Sequence, residues 1–202
     1  MSERRSGPTP KQRRTIFAAI GASFLVAAAL WYLLLRFLPA PAPLKPLETA
    51  AGCIAIAALL ALLPGIEAIA HERFVTSAVN PLAGVETPRL RVNFRYLSNT
   101  VEQFLVFAAG LLALAAYWPP RLLIIATIVW VLARWAFWIG YHRDPLWRAI
   151  GAPGMLQSLL LLLYAAYRFG ADVYGTATGI GLVIIFAAIE AILTWAVTRP
   201  NG

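Results

Sequence analysis

Arg95, Asn99 and Glu102 stand at offsets of four and seven residues in the segment RYLSNTVEQF. At about 3.6 residues per turn, those offsets place a guanidinium, an amide and a carboxylate on one stripe of a helix. The segment continues as an apolar run to Trp118, so the stripe lies at the mouth of a membrane-crossing helix, where an unsatisfied polar group is costly. Such a trio requires partners, and two kinds fit. In one, Arg95 snorkels to the phosphates and Glu102 pairs with an arginine of a neighbouring helix, so that the charges act as helix glue. In the other, the partner is a ligand.

A second group lies in LARWAFWIGYHRDPLWR. Arg134 and Tyr141 are seven apart and share a face, Pro145 breaks the helix, and Arg148 opens the next one. Arg134 sits deep in its span, where snorkelling explains it poorly, whereas Arg143 and Trp147 suit an interfacial belt. A third pair, Glu67 and His71, has a spacing that metal sites use. With no cysteine or second histidine beside it, that pair reads as a helix-end contact, and no metal site is expected.

The elements that carry these groups follow from composition. Of 202 residues, 60% are hydrophobic and 13% charged, and the apolar ones fall into long runs. That pattern belongs to an integral membrane protein. Six spans are expected, at about 16–38, 48–70, 97–118, 121–141, 149–168 and 177–197. The last contains Glu190, expected to face protein rather than lipid. No run alternates with period two, which excludes a transmembrane barrel, so the fold class is an all-α polytopic bundle.

Arg4, Arg5, Lys11, Arg13 and Arg14 precede the first span, Arg73, Arg89, Arg91 and Arg95 follow the second, and Arg143 and Arg148 lie between the fourth and fifth. The opposite loops hold Arg36, Lys45, Arg121 and Arg168. Both termini are therefore expected in the cytoplasm, with the protein in the cell membrane. The same bias accounts for the formal charge of +8, so no nucleic-acid partner is needed. QRRTIF and the apolar run after it look like an export signal, but the run is long for one and Pro43 would follow the cut, so an uncleaved helix is expected. Cys53, alone, forms no intrachain disulfide and reads as a small core residue.

Arg95-x3-Asn99-x2-Glu102 at the start of one span, followed by Arg134-x2-Phe137-x2-Gly140-Tyr141-x-Arg143-x4-Arg148 across the next helix pair, resembles the MAPEG family, the membrane-associated proteins in eicosanoid and glutathione metabolism. The resemblance covers about residues 47–170. It implies a four-helix core that assembles as a homotrimer, with glutathione between neighbouring subunits near the cytoplasmic face. By the same resemblance Arg95, Asn99 and Glu102 hold the carboxylates and amino group of glutathione, Arg134 and Tyr141 line the cleft, and Arg148 stands against the sulfur as the catalytic residue. A lipophilic electrophile would arrive from the lipid bilayer.

The chain departs from the family pattern at Phe137, where some glutathione-binding members have tyrosine, and at Gln103, where an aromatic hydroxyl is common. Around the core the expectation is a basic tail over about 1–15, an extra helix with a Pro-rich connection over about 16–46, and an extra helix and tail over about 171–202. The activity expected is that of a glutathione-dependent transferase or peroxidase. The competing reading is a non-enzymatic scaffold or small transporter in which Glu102, Arg134 and Glu190 are structural or relay charges, although no internal repeat supports an inverted-repeat transporter.

Overall fold

Every long helix but the last begins where a proline can occupy the first turn without losing a bond. In the computed structural model, which describes residues 9–199, α1 (Pro10–Phe37) starts behind a capping box. There the Thr9 hydroxyl accepts from the Gln12 backbone N–H, and the Gln12 side chain accepts from the Thr9 N–H. Pro46, Pro88 and Pro120 likewise open α2 (Pro46–Ala57), α4 (Pro88–Leu114) and α5 (Pro120–Arg143). Arg4 and Arg5 of the basic tail lie outside the described residues.

The second span is one rod of three pieces: α2, a π-helical turn over Ala58–Leu62, and α3 (Leu63–Val75). Pro64 explains the irregular turn, because it has no N–H for the carbonyl four residues back, that of Leu60. The Trp135 indole donates to that oxygen at 2.8 Å. The Tyr96 hydroxyl donates to the next carbonyl, Ala61, at 2.7 Å. Side chains of two other helices thus satisfy what the proline and the π turn release.

Among the described residues six helical segments are long and apolar enough to cross a membrane: Pro10–Phe37, Pro46–Val75, Pro88–Leu114, Pro120–Arg143, Trp147–Tyr174 and Thr176–Thr198. The fifth contains a 3-10 turn, Trp147–Gly151, and α6 (Ala152–Tyr174); the sixth is α7 (Thr176–Thr198). Spans two to five form a bundle whose interior is filled by Phe107, Leu111, Leu114, Leu123 and Trp130, with Phe107 and Trp130 stacked at 4.7 Å. Ala50, Cys53, Ala57 and Ala61 give the second span a stripe of small residues against that interior, and small residues let apolar helices approach closely. The helix α1 packs on α5, on the 3-10 turn Trp147–Gly151 and on α6, while α7 packs on α6.

Three particulars differ from the sequence-based expectation. The third span begins at Pro88 rather than near 97, because Thr87 caps it and its proline is an initiator, not a turn residue. Arg95 and Asn99 therefore lie two to three turns inside the helix. Arg148 sits in the 3-10 turn rather than on the first α-helical turn. Glu190 is exposed on the single chain instead of facing protein.

Candidate functional site

One face of α4 is pinned to its neighbours, and that fixes where the other face points. Tyr96 stacks on Trp138 at 4.6 Å, and the Asn93 carbonyl oxygen accepts from the Trp138 indole at 3.0 Å and lies 2.8 Å from His142 Nε2. Asn93, Tyr96 and Thr100 are buried. The stripe of Arg95, Ser98, Asn99 and Glu102 is thereby turned toward an open cavity of about 420 Å³, whose lining also includes Phe137, Tyr141 and Arg148.

Arg148 reaches this cavity because the α5–α6 connection is unusually tight. Asp144 ends α5, its carboxylate accepting the Leu146 N–H at 2.8 Å. The 3-10 turn then folds directly back against the helix it has left. A side chain at Gly140 would collide with the Trp147 carbonyl, and one at Gly151 with Phe137. With glycine at both places the turn closes, and the Arg148 guanidinium stands 5.7 Å from the centre of the Tyr141 ring.

Arg95, Asn99, Glu102, Tyr141 and Arg148 thus share one cavity, and Ser98, which the spacing argument passed over, joins them. Its signal was available, since an offset of three from Arg95 is also on the stripe. Arg134 does not line the cavity. It lies behind it, 1% exposed, with Nη2 donating to the Asn99 carbonyl oxygen at 2.9 Å and its guanidinium 4.4 Å from the Phe137 ring centre. Its path to a ligand runs through Asn99.

A second polar cavity, of about 540 Å³, lies between α3, α4 and α5. Its carboxylates already have partners: Glu67 has His71 at 3.6 Å, and Glu72 has Arg89 at 3.4 Å and the Thr87 hydroxyl at 2.5 Å. Among the described residues no group of three or more His, Cys, Asp or Glu is placed to hold a metal. In the first cavity, by contrast, Arg95, Glu102 and Arg148 form no ion pair with any described residue. Two cations and one carboxylate left unmatched at one concave site are suited to a ligand of mixed charge and net negative sign.

Fold and site together define a multi-pass helical membrane protein with a cationic polar cleft between its second, third and fourth core segments. A family model described as the MAPEG family matches residues 46–168, well over half of the chain. The chain belongs to the MAPEG family, whose members generally use glutathione. The matched region contains every residue of the cavity and leaves α1 and α7 outside it. No curated protein and no solved structure matches the chain significantly.

Proposed function

We propose that the Arg148 cavity binds glutathione and activates its thiol for attack on a lipophilic electrophile, making the protein a glutathione-dependent transferase or peroxidase of the membrane. The observation that carries this reading is the convergence of Arg95, Ser98, Asn99, Glu102, Tyr141 and Arg148 on one cavity with their charges unmatched. Glutathione has two carboxylates, an ammonium and a thiol. Arg95 and the amide and hydroxyl beside it suit the carboxylates, Glu102 suits the ammonium, and Arg148 suits the sulfur.

A thiol with a pKa near 8.5 is only a few per cent thiolate at neutral pH. A guanidinium beside the sulfur favours the charged form, each unit of depression corresponding to about 1.4 kcal/mol. In conjugation, the thiol proton leaves to solvent, the thiolate forms a C–S bond and the electrophile releases its leaving group with the bonding pair. In the peroxidase variant, thiolate attack breaks the O–O bond, and a second glutathione completes reduction to alcohol and water with disulfide as the oxidised product. Tyr141, at the edge of Arg148, orients the guanidinium from its ring face.

The cavity opens on the side of α4 and Arg148 and is completed, in this reading, by a neighbouring subunit of a homotrimer. Both termini and the Arg148 end of the bundle then face the cytoplasm, where glutathione is abundant, while the electrophile enters from the bilayer. Conjugation of glutathione to an apolar aryl halide by the purified protein tests the reading. Arg148→Ala is expected to lower the rate at least about a hundredfold, as loss of one charge-stabilising donor does. Equal rates for the two proteins would overturn the mechanism, and absence of any glutathione binding would favour a scaffold.

A further inference from the structure

The helix α1 lies on the outside of the core and leaves grooves along the seam between them. None of its residues is buried, although it packs on α5, on the 3-10 turn and on α6; its side-chain hydrogen bonds to the core lie toward its C-terminal end. There the Trp31 indole donates to the Gln157 side chain at 3.0 Å, and Arg121 donates to the Leu35 carbonyl at 2.6 Å. At the Lys11 end no side-chain hydrogen bond ties α1 to the core among the described residues.

The grooves adjoin one another along the seam. An apolar cavity of about 630 Å³ lies between the small-residue face of α1, including Thr15, Ala22 and Ala27, and the Ala133, Ala136 and Pro153 side of the core. Around Ala27, Val129 and Pro153 it adjoins a second apolar cavity of about 420 Å³ that reaches Trp31. Around Thr15 and Trp147 it adjoins a small polar recess lined by Lys11, Gln12 and Asp144. From Thr15 to Trp31 the groove runs about 24 Å along the helix at 1.5 Å per residue, comparable to the roughly 30 Å hydrocarbon thickness of a bilayer.

We propose that this groove is a binding site for an anionic glycerophospholipid, an acyl chain lying lengthwise between α1 and the core and the headgroup phosphate held at Lys11. Small residues on both sides bring the helices into contact, and beside that contact they front a groove of apolar surface that lipid is the surrounding medium to fill. At the Lys11 end the groove opens into the polar recess. Lys11 makes no ion pair with any described residue, and Arg13 and Arg14 follow within a turn. The one carboxylate there, Asp144, accepts from the Leu146 N–H through one oxygen, and the three cations Lys11, Arg13 and Arg14 outnumber its single charge. Basic residues at such an edge favour an anionic headgroup over a neutral one.

The groove shares no lining residue with the Arg148 cavity, so its occupant is a bound lipid rather than the electrophile. The inference rests on the membrane fold and stands whether or not glutathione is the ligand of the other cavity.

The test is native mass spectrometry of the full chain, delipidated in detergent and exposed to equimolar phosphatidylglycerol and phosphatidylcholine. The chain is expected to retain phosphatidylglycerol about fivefold over phosphatidylcholine, the effect of one basic residue at an anionic surface. Lys11→Gln is expected to abolish the preference while keeping bound lipid. Ala22→Leu combined with Ala136→Leu, which fills the channel, is expected to lose both lipids with helix content unchanged. Equal retention by the wild type overturns the proposal, as does undiminished lipid in the filled variant. A groove that holds a second copy of the chain instead would show oligomers that the filled variant disperses and no retained lipid, which also overturns it. Should the filled variant fail to fold, loss or persistence of the preference in Lys11→Gln decides.

Discussion

Arg134 donates to the Asn99 side-chain amide oxygen at 2.9 Å from beneath the cavity floor, and it forms no salt bridge among the described residues. Its Nε has no hydrogen-bond partner. A buried guanidinium held only by an amide and the faces of aromatic rings is expensive to keep charged, and replacing such a group with an apolar residue of similar length is often neutral for stability. The same bond fixes which way the Asn99 amide points, leaving its N–H groups for the cavity. Arg134→Met is therefore expected to leave the unfolding temperature in detergent nearly unchanged and to weaken glutathione binding about tenfold, with a smaller effect on the maximal rate. Calorimetric titration beside a thermal melt separates the two. A large loss of stability with unchanged affinity would make Arg134 a packing residue.

The unmatched charge of Arg148 carries a pH signature. A cation beside the sulfur lowers the thiol pKa, so the fraction of reactive thiolate, and with it the conjugation rate, should rise to its plateau at lower pH than for free thiol. With Arg148 present the midpoint is expected about one unit below 8.5. In Arg148→Ala it should return to about 8.5, and in Arg148→Lys it should lie between, because the point charge is kept and the planar fork lost. A midpoint independent of residue 148 would remove the sulfur from its neighbourhood.

The tight return of the chain at the end of α5 is what brings Arg148 to Tyr141, and glycine makes it possible. Gly140→Ala and Gly151→Ala each place a methyl group against atoms that cannot yield easily, the Trp147 backbone and the base of the Phe137 side chain. Each is expected to lose about 1–3 kcal/mol of stability and to depress activity beyond that by displacing Arg148. Gly21→Ala, in α1 with nothing within 4 Å of the new methyl, is the matched control. It should gain about 0.5–1 kcal/mol, since alanine is the better helix former. Thermal melts of the three proteins, with rates measured well below the transition, distinguish lost folding from a misplaced arginine.

The six membrane-crossing segments were legible because lipid imposes one requirement on all of them, a long apolar run, and sequence displays it directly. Arg95, Asn99 and Glu102 were legible as a set because helical periodicity alone makes them neighbours, and Tyr141 and Arg148 joined them through the family pattern. Local spacing did not reveal the depth of Arg134. Seven residues from Tyr141 put it on the same stripe, but whether that stripe faces the cavity or the floor beneath it depends on how α5 is rotated against α4, which Tyr96, Asn93 and Trp138 decide. The early start of α4 was hidden by Thr87-Pro88, a pair that reads equally as turn or helix start. The π turn at Ala58–Leu62 was announced only by Pro64, and its partners Tyr96 and Trp135 are distant in sequence.

Those partners permit one further test. Pro64 deprives the Leu60 carbonyl of its ordinary donor, and the Trp135 indole supplies another at 2.8 Å. In the interior of a bilayer no water replaces a lost donor, so Trp135→Phe should destabilise the protein by about 1–3 kcal/mol, the penalty for a buried unsatisfied acceptor. Pro64→Ala restores an N–H at the position the α-helical pattern requires. In that background the same tryptophan substitution should lose only the difference in packing, leaving a coupling of about 1 kcal/mol in a double-mutant cycle. Denaturation of the four proteins in one detergent measures it. Equal penalties in both backgrounds would mean that the indole and the proline are unrelated, and that the π turn is held by Tyr96 and its bond to Ala61 alone.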